Sequence, residues 1–267
     1  MNIYSLGKDL TPTQKKDLKD HYPIVKWGHF SYETTHNEHP CFLEVEIHLS
    51  MVESLNFEVI DLLMKQHVKS NLEILIIRLQ TIDIISHPQF LKYMQTLQKK
   101  LNKQKITLWI YPKMNQPYPL FLKLFKVMKV SHVLLVFDPT YVKVNKGSVI
   151  SQFKALSRYI GCVVAHDITT KNEPELIGYG QAELIKLFKL MIKNNFKGNI
   201  MCQPDYLKYL ESLRKKSQGV FKFIRQKDMK SYQILKERLK IDEKKDVELI
   251  DIYQNQLDVL SIIFNLS

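Results

Sequence analysis

Residues 132–167 contain two apolar runs, HVLLVFD (132–138) and IGCVVAHD (160–167), and each run ends in an aspartate. The segment between them is long enough for a helix, and the interior of each run is almost continuously apolar. Strands that are buried on both faces of a parallel sheet have this composition. The two runs therefore predict a strand–helix–strand unit.

The same unit recurs along the chain. Apolar runs that predict strands are Ile3–Leu6, Ile24–Gly28, Leu43–Leu49, Leu72–Leu79, Ile106–Tyr111, His132–Asp138, Ile160–Asp167 and Asn199–Gln203. Amphipathic stretches between them predict helices, for example at Thr11–His21, Phe90–Leu101 and Gln181–Asn194. Eight alternating units of this length predict an α/β protein with a closed (β/α)8 barrel. An open doubly wound sheet is less favoured, because no glycine-rich phosphate loop follows the first strand.

Two segments depart from the regular unit. Phe30–Pro40 is too short and polar for a helix, so we predict an irregular loop there. After the eighth strand the chain continues, and we predict a barrel over residues 1–217 and a helical C-terminal extension over 218–267. The last amphipathic segment, Asp246–Leu266, is expected to pack on the barrel, with a homodimer contact as the alternative.

Composition excludes several classes of protein. Apolar residues make up 45% of the 267 residues, which suits one globular domain with a sizeable core. No apolar run is long enough to span a membrane, and the N-terminus lacks a signal pattern. The three cysteines have no C-x-x-C spacing, so we expect a cytoplasmic protein with reduced cysteines in its core.

The chain is basic, with a net charge of +12 from 39 basic and 27 acidic residues. Such a surface can bind nucleic acid or an anionic ligand. Only five of the basic residues are arginine, the residue that suits bidentate phosphate and base contacts. Nucleic acid is therefore the less favoured partner, although Asp205–Asp246 carries half of the net charge.

The carboxyl ends of the last strands carry polar motifs, and barrel enzymes place their chemistry at these ends. The motifs are Phe137-Asp138-Pro139-Thr140-Tyr141, Val164-Ala165-His166-Asp167, Gly178-Tyr179-Gly180, and Phe196-Lys197-Gly198 before a strand that ends in Gln203. In this order the chain resembles the xylose isomerase-like TIM barrel superfamily of sugar and sugar-phosphate isomerases, epimerases and apurinic endonucleases. Its members commonly show D-x-x-H, H-x-x-D, G-E-G and aromatic-x-G motifs in sequence. The resemblance, clearest from Val133 to Gln203, implies a barrel that handles carbohydrates.

The resemblance also implies a divalent metal, but here most of the expected ligands are replaced. The two aspartates of the motifs are kept as Asp138 and Asp167. The replacements are Tyr111 and Gln203 for two glutamates, and Tyr141 and Val164 for two histidines. Phenols, an amide and an isopropyl group poorly offset the dehydration of a divalent cation. We therefore expect no metal cofactor at this position.

The polar residues that remain could form a sugar-binding mouth. Asp138 and Asp167 are the candidate catalytic acid and base. The candidate substrate-binding residues are His48, Arg78, Tyr111, Tyr141 and Gln203, and Lys113 could join Arg78 in meeting a phosphate. The alternative is that the two aspartates simply hold the starts of loops.

Two local alternatives remain open. Because side chains alternate along a strand, only one of His166 and Asp167 points into the barrel, and we favour Asp167. The spacing His36-x-x-His39 could hold zinc, but two histidines are weak evidence for a site.

Three functions are compatible with these residues. The first is a metal-independent or weakly metal-dependent isomerase or epimerase that acts on a sugar or sugar phosphate. The second is a barrel that binds a ligand or protein partner without turnover. The third is an apurinic-site endonuclease, which the missing ligands disfavour most because that hydrolysis depends on metals.

Overall fold

The computed structural model describes residues 2–5, 7, 9–30, 42–66, 72–81, 83–114, 116–128, 133–218 and 226–265. The strands are β1 (Ile3–Ser5), β2 (Val25–Phe30), β3 (Phe42–Ile47), β4 (Ile74–Leu79), β5 (Thr107–Ile110), β6 (Val133–Phe137), β7 (Ile160–Ala165), β8 (Asp167–Ile168), β9 (Pro174–Glu175) and β10 (Asn199–Cys202). Eight of them form a closed parallel barrel in the order β1-β10-β7-β6-β5-β4-β3-β2. The predicted (β/α)8 barrel is confirmed.

Helices cover the outside of the barrel. They are α1 (Pro12–His21), α2 (Leu49–Glu53), α3 (Glu58–Gln66), α4 (Asp83–Ser86), α5 (Phe90–Lys103), α6 (Tyr118–Met128), α7 (Pro139–Val144), α8 (Val149–Leu156), α9 (Leu184–Lys193), α10 (Leu207–Gln218), α11 (Gln226–Leu239) and α12 (Leu249–Phe264), with a 3-10 turn at Ser157–Tyr159. Thr11 caps α1 in a capping box with Gln14, and Pro12 opens the helix, as its sequence indicates. The predicted loop at Phe30–Pro40 lies, after Phe30, outside the described residues.

The strands are buried on both faces, and this explains their continuous apolar composition. Side chains on the outer face, such as Val45, Ile77 and Val163, belong to a large core shared with the helices. Cys162 and Cys202 are free and buried, as predicted for core cysteines, whereas Cys41 lies outside the described residues. Among the described residues, no helix has the length and apolarity needed to cross a bilayer.

The C-terminal extension is helical, as predicted, and its last helix packs on the barrel. The backbone N–H of Ile177 donates to Gln256 Oε1 at 3.0 Å, and the Tyr22 hydroxyl donates to Asp258 Oδ1 at 2.6 Å. The rings of Phe188 and Phe264 meet edge to face at 5.2 Å. The predicted domain boundary at residue 218 falls at the end of α10, and a homodimer contact stays a prediction.

Candidate functional site at the open end of the barrel

The barrel interior below the open end is filled by side chains. Its inner cluster comprises Tyr4, Phe42, Ile74, Ile76, Trp109, Tyr111, Val136, Cys162, Val164 and Met201. Tyr4 meets Phe42 and Trp109 edge to face, with ring centroids 5.7 and 5.6 Å apart. A packed layer of this kind fills the barrel, and barrel enzymes place their sites at the carboxyl ends of the strands.

The register of β3, β4 and β5 brings charged groups together at that end. Glu46 pairs with Arg78, and Ile77 pairs with Ile110, so the ends of the three strands lie side by side. Arg78 Nε donates to Glu44 Oε1, and the two residues form a salt bridge. Their side chains are 19% and 4% exposed, respectively, so this ion pair is largely shielded from water.

Arg78 also lies over an aromatic ring. Its guanidinium carbon is 3.6 Å from the centroid of Tyr111, within the range of a cation–π contact. Burial lowers the pKa of Arg78, but Tyr111, Glu44 and Tyr141 raise it by more, and the net shift is upward. The guanidinium is therefore a permanent positive charge with a fixed orientation.

The two tyrosines extend this arrangement to Asp138. The Tyr111 hydroxyl donates to Asp138 Oδ2 at 2.9 Å, and the Tyr111 and Tyr141 rings stack with centroids 5.9 Å apart. Burial and the Asp138 carboxylate raise the pKa of the Tyr141 hydroxyl by more than the guanidinium of Arg78 lowers it. Burial raises the pKa of both phenols, so each remains a neutral hydroxyl. We call Glu44, Arg78, Tyr111, Asp138 and Tyr141 the mouth network.

Asp138 is fully buried and is held by its own loop as well. Its Oδ1 accepts from Thr140 N at 2.9 Å and from Thr140 Oγ1 at 2.6 Å, which caps α7. Its backbone N–H donates to the Tyr118 hydroxyl at 2.6 Å. The carboxylate thus already accepts three hydrogen bonds and has no exposed surface, which favours a structural role over proton transfer.

Asp167 is buried too, but backbone groups hold it. Its Oδ1 accepts from Ile168 N at 3.0 Å and Ala182 N at 2.8 Å, and its Oδ2 accepts from Gly178 N at 3.2 Å and Gly180 N at 3.1 Å. Burial raises the pKa of this carboxyl, and the four N–H groups offset part of that rise. We call Asp167 with these four N–H groups the loop clamp.

The clamp explains the Gly178-Tyr179-Gly180 motif. A Cβ at position 180 would lie 2.3 Å from Asp167 Oδ1, and Gly178 has a φ of +91°. The sequence favoured Asp167 over His166 as the inward residue with a structural or polar-site role. Its carboxylate instead faces the loop that follows β7, because β7 ends at Ala165 and a separate short hairpin of β8 and β9 begins at Asp167.

The other predicted residues are not part of the mouth network. His48 is exposed and precedes α2 without capping it through its side chain. Gln203 is half-buried after β10, and its Oε1 has no hydrogen-bond partner among the described residues. Lys113 pairs with Glu46 and donates to Gln80 O at 3.3 Å. The structure thus brings Arg78, Tyr111, Asp138 and Tyr141 into direct contact and leaves Asp167 in a separate cluster.

The sequence reading missed Glu44, which holds Arg78 in place. A signal was available, because Arg78 is the one charged residue of β4 and Glu44 is one of two glutamates among the apolar residues of β3. Buried charges of this kind are usually paired. Which partner each one meets depends on the register between β3 and β4, and a single sequence does not contain that register.

The residues at the open end do not fit a divalent metal. Val164 is buried in the inner cluster and has no lone pair, and the carboxylates of Asp138 and Asp167 already accept protein hydrogen bonds. The charged guanidinium of Arg78 would also repel a cation. Among the residues that the structure describes, no three His, Cys, Asp or Glu side chains are arranged to hold a metal. His36 and His39 lie outside those residues.

Comparison with solved structures shows what this barrel is similar to. A xylose isomerase domain protein from Planctomyces limnophilus aligns with a TM-score of 0.58 and 11% identity, over 81% of this chain and 96% of its own. A family 2 AP endonuclease from Brucella melitensis aligns with a TM-score of 0.59 and 12% identity, over 75% of this chain and 91% of its own. An L-ribulose 3-epimerase aligns with a TM-score of 0.55 and 9% identity, over 99% and 84%.

The comparisons by sequence give no further assignment. No protein-family model matches the chain, and no curated protein matches it significantly. At these identities a structural likeness extends to the fold and leaves the reaction open. The resemblance read from the motifs is confirmed at that level: this chain has the fold of the xylose isomerase-like TIM barrels.

Proposed function

We propose that the protein binds a sugar or sugar phosphate at the open end of the barrel without a divalent metal. The observation that carries this proposal is the Arg78 guanidinium, fixed between Glu44 and the face of Tyr111 at the carboxyl end of β4. A guanidinium has five N–H donors, and Glu44 accepts from Nε. The remaining donors suit a phosphate or a row of sugar oxygens.

The side chains near Arg78 suit a carbohydrate as the ligand. Tyr141 is partly exposed and stacks on the buried ring of Tyr111, so it offers an aromatic wall beside Arg78. Glu46 and Lys113 add a partly exposed carboxylate and ammonium beside them. A mixture of aromatic faces with donors and acceptors is suited to a polyhydroxylated ligand. Among the structures similar in fold is one named L-ribulose 3-epimerase, which acts on a sugar.

The proposal assigns binding rather than turnover to this site. Asp138 and Asp167, the candidate acid and base, both have their oxygens engaged by protein donors. A general base must reach the proton that it removes. An active isomerase or epimerase is the alternative, and it requires one of these carboxylates to exchange a protein hydrogen bond for a substrate hydrogen bond.

Calorimetric titration in the presence of EDTA tests the proposal, with D-ribulose 5-phosphate, D-ribulose and inorganic phosphate as probes. We expect the sugar phosphate to bind without added metal, and Arg78→Lys to weaken it about tenfold by removing the planar donor fork. The matched control is Arg158→Lys, at an exposed arginine that lies on the Tyr159 ring, and it should leave the affinity unchanged.

Two outcomes would contradict the proposal. The first is stoichiometric metal that survives purification and is needed for binding. The second is an affinity that Arg78→Lys does not change. Turnover is tested separately by proton NMR in D2O, because isomerisation or epimerisation exchanges a carbon-bound hydrogen of the sugar for deuterium. Exchange that is lost in Asp138→Asn would establish the enzymatic alternative.

The third function, action on apurinic DNA, has one observation in its favour, the fold shared with a protein named AP endonuclease. The net charge of +12 also suits a nucleic acid. The same titrations with a short abasic duplex distinguish this function. Tight binding that falls steeply with salt and ignores Arg78→Lys would favour it over a sugar site.

A further inference from the structure

Charge is distributed very unevenly along the chain. Of its 39 basic and 27 acidic residues, the segment 84–166 contains 13 basic residues and only one acidic residue, Asp138. The rest of the chain contains 26 of each, so the net charge of +12 comes from this one segment. Asp138 is fully buried, so the segment supplies positive side chains to the surface and no acidic ones.

The fold gathers this segment on one side of the barrel. It runs from α4 to the end of β7 and supplies the neighbouring strands β5, β6 and β7 with their helices. Helices of a (β/α)8 barrel run back along the strands, so their last turns and the connections that follow lie at the amino ends of the strands. That end of the barrel is opposite the mouth network.

Exposed cations line this amino end. They occupy the last turns of α5, α6 and α8 and the connections after α5 and α8, and α9 adds two more before β10, which pairs with β7. The residues, which we call the basic face, are Lys103, Lys105, Lys126, Lys154, Arg158, Lys193 and Lys197.

Acidic side chains do not neutralise the basic face. Among the described residues, Lys100, Lys113, Lys143 and Lys186 form salt bridges, but no residue of the basic face does. The stretches 99–107, 123–133, 153–160 and 192–200, which lead into the four strands, contain no Asp or Glu. A helix macrodipole favours a cation in each last turn, but it does not explain the cations of the connections. The potential at this end is therefore positive.

The residues between the cations favour a nucleic acid over a membrane. Lysine, arginine and amide side chains are common contacts to phosphate and sugar oxygens, and lysine suits phosphate better than base readout. A membrane-surface site needs apolar side chains to insert, and Ile192 is the one large, exposed apolar residue described in the four stretches. The exposed amides beside the cations are Asn102, Gln104, Asn194 and Asn195.

We propose that the basic face binds the phosphate backbone of a nucleic acid duplex without preference for sequence. Neighbouring helices pack 8–10 Å apart, so the ends of four helices span about 25–30 Å, close to one turn of B-DNA. Contacts to several phosphates release counterions, so the affinity falls steeply as salt is added. This surface is separate from the open end of the barrel and does not depend on the sugar site proposed there.

Fluorescence anisotropy with a labelled DNA duplex of about 20 base pairs tests the basic face on the full-length protein. Between about 50 and 200 mM NaCl we expect the wild-type affinity to fall at least about tenfold. The triple variant Lys126→Gln, Lys154→Gln and Lys193→Gln should bind at least about tenfold more weakly at the lower salt concentration. Its plot of log affinity against log salt should also be shallower by about one unit for each lost contact.

The matched control removes the same net charge elsewhere. Lys208→Gln, Lys230→Gln and Lys244→Gln change exposed lysines of Asp205–Asp246, the other basic stretch, where seven acidic residues lie among 13 basic ones. This triple variant should bind the duplex within about twofold of the wild type, because salt screens distant charges. Equal weakening by both triple variants would attribute binding to the net charge and overturn the proposal. Thermal unfolding checks that each variant is folded.

Other outcomes would also overturn the proposal. One is no duplex binding by the folded wild type at about 50 mM NaCl. A second is sedimentation with vesicles of phosphatidylcholine and phosphatidylserine in equal amounts that the Lys126, Lys154 and Lys193 variant abolishes, without duplex binding, which would assign the basic face to an anionic membrane. A third is a preference for an abasic duplex that Arg78→Lys removes, which would place the nucleic acid at the open end. We expect equal affinity for intact and abasic duplexes, unchanged by Arg78→Lys.

Discussion

Asp138 and Asp167 are both buried aspartates at the open end of the barrel, but different kinds of donor hold their carboxylates. Asp138 accepts from the hydroxyls of Tyr111 and Thr140 and from one backbone N–H. It joins a network of side chains from two strands, from the residues directly after two further strands, and from one helix. Asp167 accepts from four backbone N–H groups of a single loop. The mouth network therefore ties together side chains from distant parts of the chain, whereas the loop clamp fixes the path of one connecting segment.

This difference shows that two aspartates in similar sequence positions can be held in different ways. In the superfamily that the sequence resembles, the aspartates at these two motif positions belong to a metal site. Here Asp138 accepts a hydrogen bond from the Tyr111 hydroxyl, and Asp167 accepts hydrogen bonds from a glycine loop. An aspartate in a family motif is thus not by itself evidence for catalysis, because a buried carboxylate accepts protein donors as readily as it accepts a metal.

The largest effect on stability should follow removal of the central cation of the mouth network. Arg78→Met leaves the Glu44 carboxylate, which is 4% exposed, without its guanidinium, and we expect a loss of about 3–5 kcal/mol in the free energy of unfolding. Urea denaturation measures it. Arg158→Met, at an exposed arginine, is the control and should cost less than about 1 kcal/mol. Adding Glu44→Gln to Arg78→Met should recover part of the loss, and no recovery would contradict this account of the pair.

A substitution in the loop clamp should have the next largest effect on the free energy of unfolding. Asp167→Asn replaces one oxygen by an NH2 group that faces two backbone donors, so we expect a loss of about 2–3 kcal/mol. Amide hydrogen exchange should accelerate at Gly178, Gly180 and Ala182 and remain unchanged in the barrel strands. Asp20→Asn, at an exposed aspartate of α1, is the matched control. Protection of these three amides equal to that of the wild type would show that the clamp does not hold the loop.

Asp138→Asn should lower the free energy of unfolding by less, about 1 kcal/mol. Asparagine caps a helix as well as aspartate does, so only the bond from the Tyr111 hydroxyl is disturbed. A double-mutant cycle with Tyr111→Phe measures that bond by urea denaturation. The two changes should be less than additive, because both remove the same hydrogen bond. Full additivity would mean that the two groups do not interact.

The smallest effect is expected at the edge of the network. Lys113 and Glu46 form an ion pair whose side chains are 33% and 43% exposed, and pairs of this kind contribute about 0–1 kcal/mol. Lys113→Ala should therefore change the free energy of unfolding by less than about 1 kcal/mol, and added salt should reduce the difference further. A larger loss that salt does not reduce would place Lys113 among the residues that hold the barrel end together.

The barrel itself could be predicted because its strands are buried on both faces. The strands found at Ile74–Leu79 and Val133–Phe137 lie inside the predicted runs, where continuous apolar sequence carried the signal. The hairpin of β8 and β9 was not predicted, because strands of two residues have no periodicity to detect. The same hairpin explains why Asp167 does not continue the alternation of β7.

The candidate site could be predicted only in part. Arg78, Tyr111, Asp138 and Tyr141 were expected to meet because parallel strands end at the same edge of a barrel. Their actual partners were not available from one chain. Glu44 reaches Arg78 through the register of two strands, and Tyr118 reaches Asp138 from a helix that begins 20 residues earlier.

The sequence by itself determined the alternation of strands and helices, the apolar interior, and the side-chain chemistry available at positions 111, 141, 164 and 203. These follow from side-chain chemistry and local periodicity, which are properties of neighbouring residues. Only the tertiary structure decided which buried charge meets which partner: Glu44 with Arg78, Tyr111 with Asp138, and Asp167 with the glycine loop. Such pairings are set by strand register and loop closure, where contacts form between residues that are far apart in the chain.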